Sequence, residues 1–450
     1  MSKAIKITKG VDIKLVGAAE NKISPAQRSN VYAIKPDDFF GTIPKLMVKQ
    51  GETVKAGTSL FFDKKREKIK FSSPVSGEIV EIKRGDKRKI LEVKILADKE
   101  INYETFSPWT GGSDRKGLVD TMLGMGLWPF IIQRPYGVIA SPDETPRDIY
   151  ISGFNSAPLS ADNEIALKGE MENFKTGIEA LKLLSGGKVH LGFRKGSNLY
   201  ANVSGVDKTE FSGPHPVGNV GVQIHHTKPI NKGEVVWTVA ASDVAIIGKS
   251  LKEGKFRAER TIALAGSEVE QPQYFTTIIG SSIESIVGSN QKKGHNRIIS
   301  GNVLTGDNVG NDGFLGFYSD TVSIIPEGDE KKFFLTEGWL APGFSKFSLN
   351  RSFPSWLQGN KKYKLDTNLN GETRAFVVTG ELEKVFPFDI YPMQLIKAIM
   401  VNDIELMENL GIYEVLPEDF ALCEFVCTSK INIQSVVEKG LADMRNEFAS

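Results

Sequence analysis

Residues 61–82 read FFDKKREKIKFSSPVSGEIVEI. A charged turn follows Phe61-Phe62, and Ser-Ser-Pro-Val-Ser-Gly then leads into the alternating run GEIVEI. The preceding stretch, VKQGETVKAGTSLFF (48–62), has the same build, with Gly51 and Gly57 at its turns. Tight reversals need positive or fixed φ, which glycine and proline supply. Working outward, Val31 to about Ile101 is a string of short strands punctuated by Gly41, Gly51, Gly57, Gly77 and Gly85. GEIVEIKRG and ILEVKIL alternate with period two. Residues 1–102 therefore read as an N-terminal strand followed by a small all-β module in two halves.

The two-halved shape resembles the barrel-sandwich hybrid of lipoyl and biotin carrier domains, in which one lysine in the hairpin turn holds a swinging cofactor. Asp63-Lys64 matches the lipoyl pair. However, Lys64, Lys65, Arg66 and Lys68 crowd the turn, which reads as longer than a carrier's, and no Met-Lys-Met occurs. The stretch is expected to keep the carrier shape for docking, with no covalent cofactor.

After residue 103 the pattern changes. DRKGLVDTMLGMGLW has helical spacing, DIYISGF reads as a strand, and residues 163–185 read as one long helix before a strand around Val189–Phe193. VVWTVAASDVAIIGKSL adds a strand and a helix. Strands alternating with helices predict an α/β domain over 103–255. Residues 256–330 suit a β-grasp domain: two strands, a short helix at Ser281–Val287, then another strand. Residues 331–380 read as mixed strand and loop. Residues 381–450 read as helical, with Pro392 in a first turn, Gly411 as a stop, Pro417 as an opener and an amphipathic last segment.

The 450 residues carry a formal net charge of +1, which argues against nucleic acid as a partner. Residues 61–94 hold 11 Lys+Arg against 6 Asp+Glu, and residues 381–450 hold 5 against 13. Two cysteines make no disulfide framework and fit a reducing compartment. The N-terminus lacks the apolar core of a signal peptide. No window approaches the roughly 20 apolar residues of a membrane span.

Neither a P-loop nor a G-x-G-x-x-G after a strand occurs, and GMGLWP lacks the third glycine, so the α/β domain is read without a cofactor fingerprint. His225 and His226 are placed on a strand, pointing to opposite faces, which disfavours joint ligation of a metal. Cys423 and Cys427, four apart, fall on one side of a helix, and two thiols fall short of a four-ligand site. The loop FSGPHPVGNVGVQIHH (211–226), with His215 between two prolines, reads as a fixed turn or a rigid contact loop. GLWPFIIQRPYG (126–137) gathers Trp128, Phe130 and Tyr136 beside Arg134. A quinone needs an aromatic slot and a donor for its carbonyl, a part open to Arg134 or Tyr136. The plainer reading is a corner whose aromatics pack in the core. Phe39 and Phe40, in KPDDFFGTIPK, lie where they can join the same surface.

Six segments together carry a resemblance over nearly the whole chain: residues 61–88, GLWPFIIQRPY, SGPHPVGNVGVQIHH, IALAGSEVEQP, RIISGNVLTG and FALCEFVCTSK. The chain resembles the NqrA proteins, the A subunits of bacterial Na⁺-translocating NADH:quinone oxidoreductases. The resemblance implies a multidomain α+β chain: a lipoyl-like barrel-sandwich module, a Rossmann-like α/β domain akin to the NADH-binding subunit of complex I, an SLBB-like β-grasp domain and a C-terminal helical part. It implies a peripheral protein on the cytoplasmic side of the inner membrane, attached through the other subunits of the complex and chiefly the membrane-embedded B subunit. NADH, flavins and iron–sulfur centres belong to the partners, and the chain alone is not catalytic. Relatives with a cluster use a cysteine triplet, so the remaining pair implies a lost one. Quinone is linked to the contact with the B subunit. That role carries over to Phe39, Phe40, Trp128, Phe130, Arg134 and Tyr136. The alternative is a pure assembly scaffold.

Overall fold

A computed structural model describes residues 3–448, apart from 113, 330, 331, 334, 337, 339 and 350. The opening stretch forms the hairpin Ser59–Asp63 and Arg66–Ser72, followed by the strand Gly77–Arg84. Asp63 pairs with Arg66, so the turn is only Lys64-Lys65 and not the longer one expected. Asp63 is fully buried, and its carboxylate accepts from Arg66 Nε at 2.9 Å and from the backbone of Lys65 and Ile43. Arg66 in turn donates to the carbonyl of Ile139 at 2.5 Å, so the hairpin tip is docked onto the next body. Gly77 lets two strands close: a Cβ there would stand 1.9 Å from the carbonyl oxygen of Leu96. We expect Gly77→Ala to cost about 1–3 kcal/mol as a forced overpacking, read as a lower first thermal transition of the chain.

The α/β body is built on a seven-stranded sheet. Its spatial order is Lys3–Lys6, Asp207–Ser212, Val189–Arg194, Ile149–Ser152, Val236–Thr238, Ile132–Arg134, Val138–Ile139. The first five run parallel and the last two are antiparallel additions. Alternation along the strands splits the core. Ile149, Ile151 and Trp237 face the helices Met171–Leu184 and Ala241–Glu253, whereas Tyr150 and Val236 face the helix Val220–Thr227. Helices thus cover both faces. Met171–Leu184 presents Phe174, Ile178 and Leu181 at helical spacing, and its backbone meets that of Ala241–Glu253 through Gly177 and Gly248. A Cβ on either glycine would fall 1.9–2.1 Å from a carbonyl oxygen of the other helix.

Three expectations fail locally. Residues 163–185 are two helices, Asn163–Ala166 and Met171–Leu184, parted at Gly169 with φ +88°. His225 and His226 sit on the helix Val220–Thr227, not on a strand. Residues 331–380, in so far as they are described, hold a 3₁₀ turn at Pro354–Leu357 and no strand beyond an isolated bridge, Leu15 to Tyr363.

The third body is a six-stranded sheet containing Glu259–Ala265, Gln273–Ile278, Asn296–Ser300 and Thr321–Pro326, with the short helix Ile283–Val287 on it. Its edge strand is Glu20–Pro25, paired parallel to Gln273–Ile278. The strands Lys3–Lys6 and Glu20–Pro25 therefore belong to two sheets whose other strands come far along the chain. Helices from Leu382 to Phe448 form the last body, whose core includes Ile7, Phe211, Val217 and Val222 of the α/β body. Among the described residues no helix is long and apolar enough to cross a membrane.

Candidate functional site

In the seven-stranded sheet the chain runs from Ile149–Ser152 outward to one side, then returns to Val236–Thr238 on the other. Ligands of open α/β sheets bind beyond the carboxyl ends of the strands at such a reversal. A cavity of about 450 Å³ lies there. Ser152, Asn155 and Ser156 line it from one strand end, and Thr238, Val239 and Ala240 from the other. Two helices begin at its wall, Val220–Thr227 after Asn219 and Ala241–Glu253 after Ala240. The barrel module adds Asp38, Phe39 and Phe40, the third body Tyr318 and Asp320, and the last body Leu416 and Glu418.

Four of the six sequence candidates meet in this cavity: Phe39, Phe40, Phe130 and Arg134. Phe39 packs its ring 4.3 Å from Phe71 and 4.8 Å from Phe317, and Phe130 stacks on Phe317 at 4.7 Å. Phe40 is half-buried and the least enclosed of the three. Trp128 lies elsewhere: it is fully buried, donates from Nε1 to the carbonyl of Ala140 at 2.8 Å, and meets Trp237 edge-on at 5.6 Å. Tyr136 is half-buried against Tyr413, also outside the cavity lining.

Arg134 is 1% exposed. Nη2 donates to Glu418 Oε1 at 2.5 Å and Nη1 to Asp419 Oδ2 at 3.1 Å, while Nε has no partner. His215, singled out only as part of a rigid loop, forms another wall, with Nδ1 bonded to the Ser156 hydroxyl at 2.9 Å. Burial pushes its imidazole down to about 4, so it is neutral at pH 7. Burial pushes Asp243 up to about 6, although Arg260 pairs with it. Asp38, also raised by burial, is held by Lys35 at 3.2 Å and accepts from the backbone of Phe317. The site thus offers aromatic walls, one guanidinium, a neutral imidazole and several carboxylates. The strand-to-helix passage VVWTVAASD was the sequence signal for Asp243 and its neighbours. Asp320 and Glu418 carried none, because distant segments bring them here.

Cys423 and Cys427 are buried in the core of the last body, and burial keeps Cys423 a thiol. Among the described residues no group of three or more His, Cys, Asp or Glu is arranged to hold a metal ion.

Models of three domain families match the chain: the NqrA N-terminal barrel-sandwich hybrid domain over residues 5–98, the NqrA second alpha/beta domain over 113–256, and the NQRA C-terminal domain over 261–311. The A subunit of a Na(+)-translocating NADH-quinone reductase from Rhodopirellula baltica is 35% identical over 98% of this chain and 98% of its own. That of Serratia proteamaculans is 35% identical over 98% and 100%, and that of Neisseria meningitidis serogroup B 34% over 98% and 100%. The chain belongs to the NqrA family, the A subunits of the Na⁺-translocating NADH-quinone reductases. The barrel-sandwich hybrid expected from residues 48–82 is the family's N-terminal domain.

Proposed function

We propose that this chain is the peripheral, cytoplasm-facing A subunit of a Na⁺-pumping NADH:quinone reductase, and that its switch-point cavity contributes to the quinone site where the membrane-embedded B subunit docks. Membership rests on similarity over nearly the full length of the relatives. The observation that carries the quinone reading is the gathering of Phe39, Phe40 and Phe130 with Arg134 around one cavity. The aromatic walls suit a quinone ring, and Arg134 and His215 are polar side chains on the same wall. The chain holds no redox cofactor of its own in this reading. The flavins, the iron–sulfur centres and the NADH site lie in partner subunits, and the α/β body keeps a Rossmann-like shape without its nucleotide.

A scaffold reading has its own support. Arg134 already binds two carboxylates of the last body, so its first role is to join bodies. Calorimetric titration of the full chain with a short-tail quinone separates the two. We expect saturable binding, weakened about tenfold (about 1.4 kcal/mol) in Phe40→Ala, whose half-buried side chain can go without unfolding. Equal affinity in wild type and variant sinks the quinone reading. Absence of binding, with assembly intact, leaves the scaffold.

A further inference from the structure

We propose that carboxylates brought in by the neighbouring bodies, Glu418 with Asp419 and Asp320, stand where an α/β sheet holds phosphate, so that the cleft refuses phosphate-bearing ligands. Helix N-termini at a switch point attract phosphate through open N–H groups and the helix dipole. Both helices that start at this cavity begin without a side-chain cap. Asn219 spends its amide on the carbonyl of Glu418 at 3.2 Å, and Ala240 has nothing to offer. No side chain therefore caps the first-turn donors, although the N–H of Asp243 already turns back onto the carbonyl of Ala240 at 2.9 Å. Arg134, almost wholly buried on the same wall with Nε unpartnered, is the cation such a site would use.

The anion is nevertheless already present. A Cβ on Gly221, in the first turn of Val220–Thr227, would fall 2.6 Å from both Arg134 Nη1 and Asp419 Oδ2. The ion pair is pressed against that helix end, and Glu418 takes the second arm of the guanidinium. Two carboxylates thus share one cation. At the other helix, Asp243 of the first turn is matched by Arg260, but Asp320 is not matched. Asp320 accepts from Asn155 Nδ2 at 2.6 Å and Thr321 Oγ1 at 2.9 Å, and has no ion-pair partner among the described residues. Asp320 and Asp243 line the same cavity. A phosphate entering the cleft meets two surplus negative charges in place of two free helix ends. The refusal does not depend on whether quinone binds.

The test is equilibrium dialysis of the full chain against radiolabelled inorganic phosphate at fixed ionic strength, for wild type, Glu418→Gln, Asp320→Asn and the double variant. Folding is checked by circular dichroism. Each removed charge is expected to tighten phosphate binding by about tenfold over wild type, with the double variant tightest. If the double variant does not fold, the half-exposed Glu418→Gln decides alone. Equal phosphate affinity in wild type and every folded variant, whether all bind or none does, overturns the proposal. A quinone titration of the same variants reports separately on the ring site.

Discussion

Arg134→Met is expected to destabilise the chain by about 3–5 kcal/mol and to loosen the last helical body first. The guanidinium is 1% exposed, and its partner Asp419 is equally deep, with no exposed side-chain surface. Asp419 also accepts from the backbone of Leu416 at 3.0 Å, so it cannot swing out to water without releasing its own turn. Methionine fills much of the arginine's volume but leaves the carboxylates of Glu418 and Asp419 without a counter-ion. Removing one partner of a buried pair costs far more than the pair contributes. Arg134→Lys should fall between wild type and Arg134→Met, because an ammonium restores the charge but not the fork that reaches both carboxylates. Hydrogen exchange reads the result. Amides of 421–426 and 433–448 should lose protection in Arg134→Met while the barrel module keeps its own. Unchanged protection there refutes the role given to this ion pair. A loss of quinone binding in the same variant would therefore not identify a contact.

Trp128→Ala is expected to cost about 3–5 kcal/mol as well, the usual range for removing a large buried ring. Nothing of Trp128 reaches solvent, its Nε1–H is the donor to Ala140, and its ring is wedged on Trp237 beside the junction of barrel and sheet. Truncation opens a void there and strands the Ala140 carbonyl. Trp128→Phe should recover most of the volume term and leave only the lost hydrogen bond. Urea unfolding followed by far-ultraviolet dichroism distinguishes them. An alanine variant as stable as wild type would mean that the buried ring of Trp128 does not hold this corner together.

The barrel-sandwich hybrid was legible because its turns and alternation are local, lying within residues 48–97. The hairpin turn was misjudged in length because a run of lysines hides where pairing stops. The paired Asp63 and Arg66 leave only two of those residues in the turn. The helix Val220–Thr227 was misread because it is apolar on two sides: Val222 packs into the last body and Ile224 into the sheet. With apolar residues on two sides the helix loses a single 3.6-residue stripe, and Val-Gly-Val-Gln-Ile then mimics a strand. Of the site, the aromatic corner and Phe39-Phe40 were visible as composition. Which of those side chains share a cavity was not, since Trp128 and Phe130 sit two residues apart on one 3₁₀ turn, and only Phe130 lines the cavity. His215 was seen as a turn residue, and its place beside Ser156 depends on contact between loops 59 residues apart.

The strands Lys3–Lys6 and Glu20–Pro25 have a consequence for biosynthesis. Lys3 pairs with Thr209, and Ile23 with Tyr274. A growing chain emerges with its first two strands already made and their partners some two hundred residues or more from translation. Through that interval the leader segment offers unsatisfied backbone edges to any neighbour on the same messenger, a standing invitation to exchange between nascent copies. The two sheets close only when the late strands arrive. Lys3–Lys6 thus waits for Asp207–Ser212, and Glu20–Pro25 for Gln273–Ile278, before either edge is satisfied.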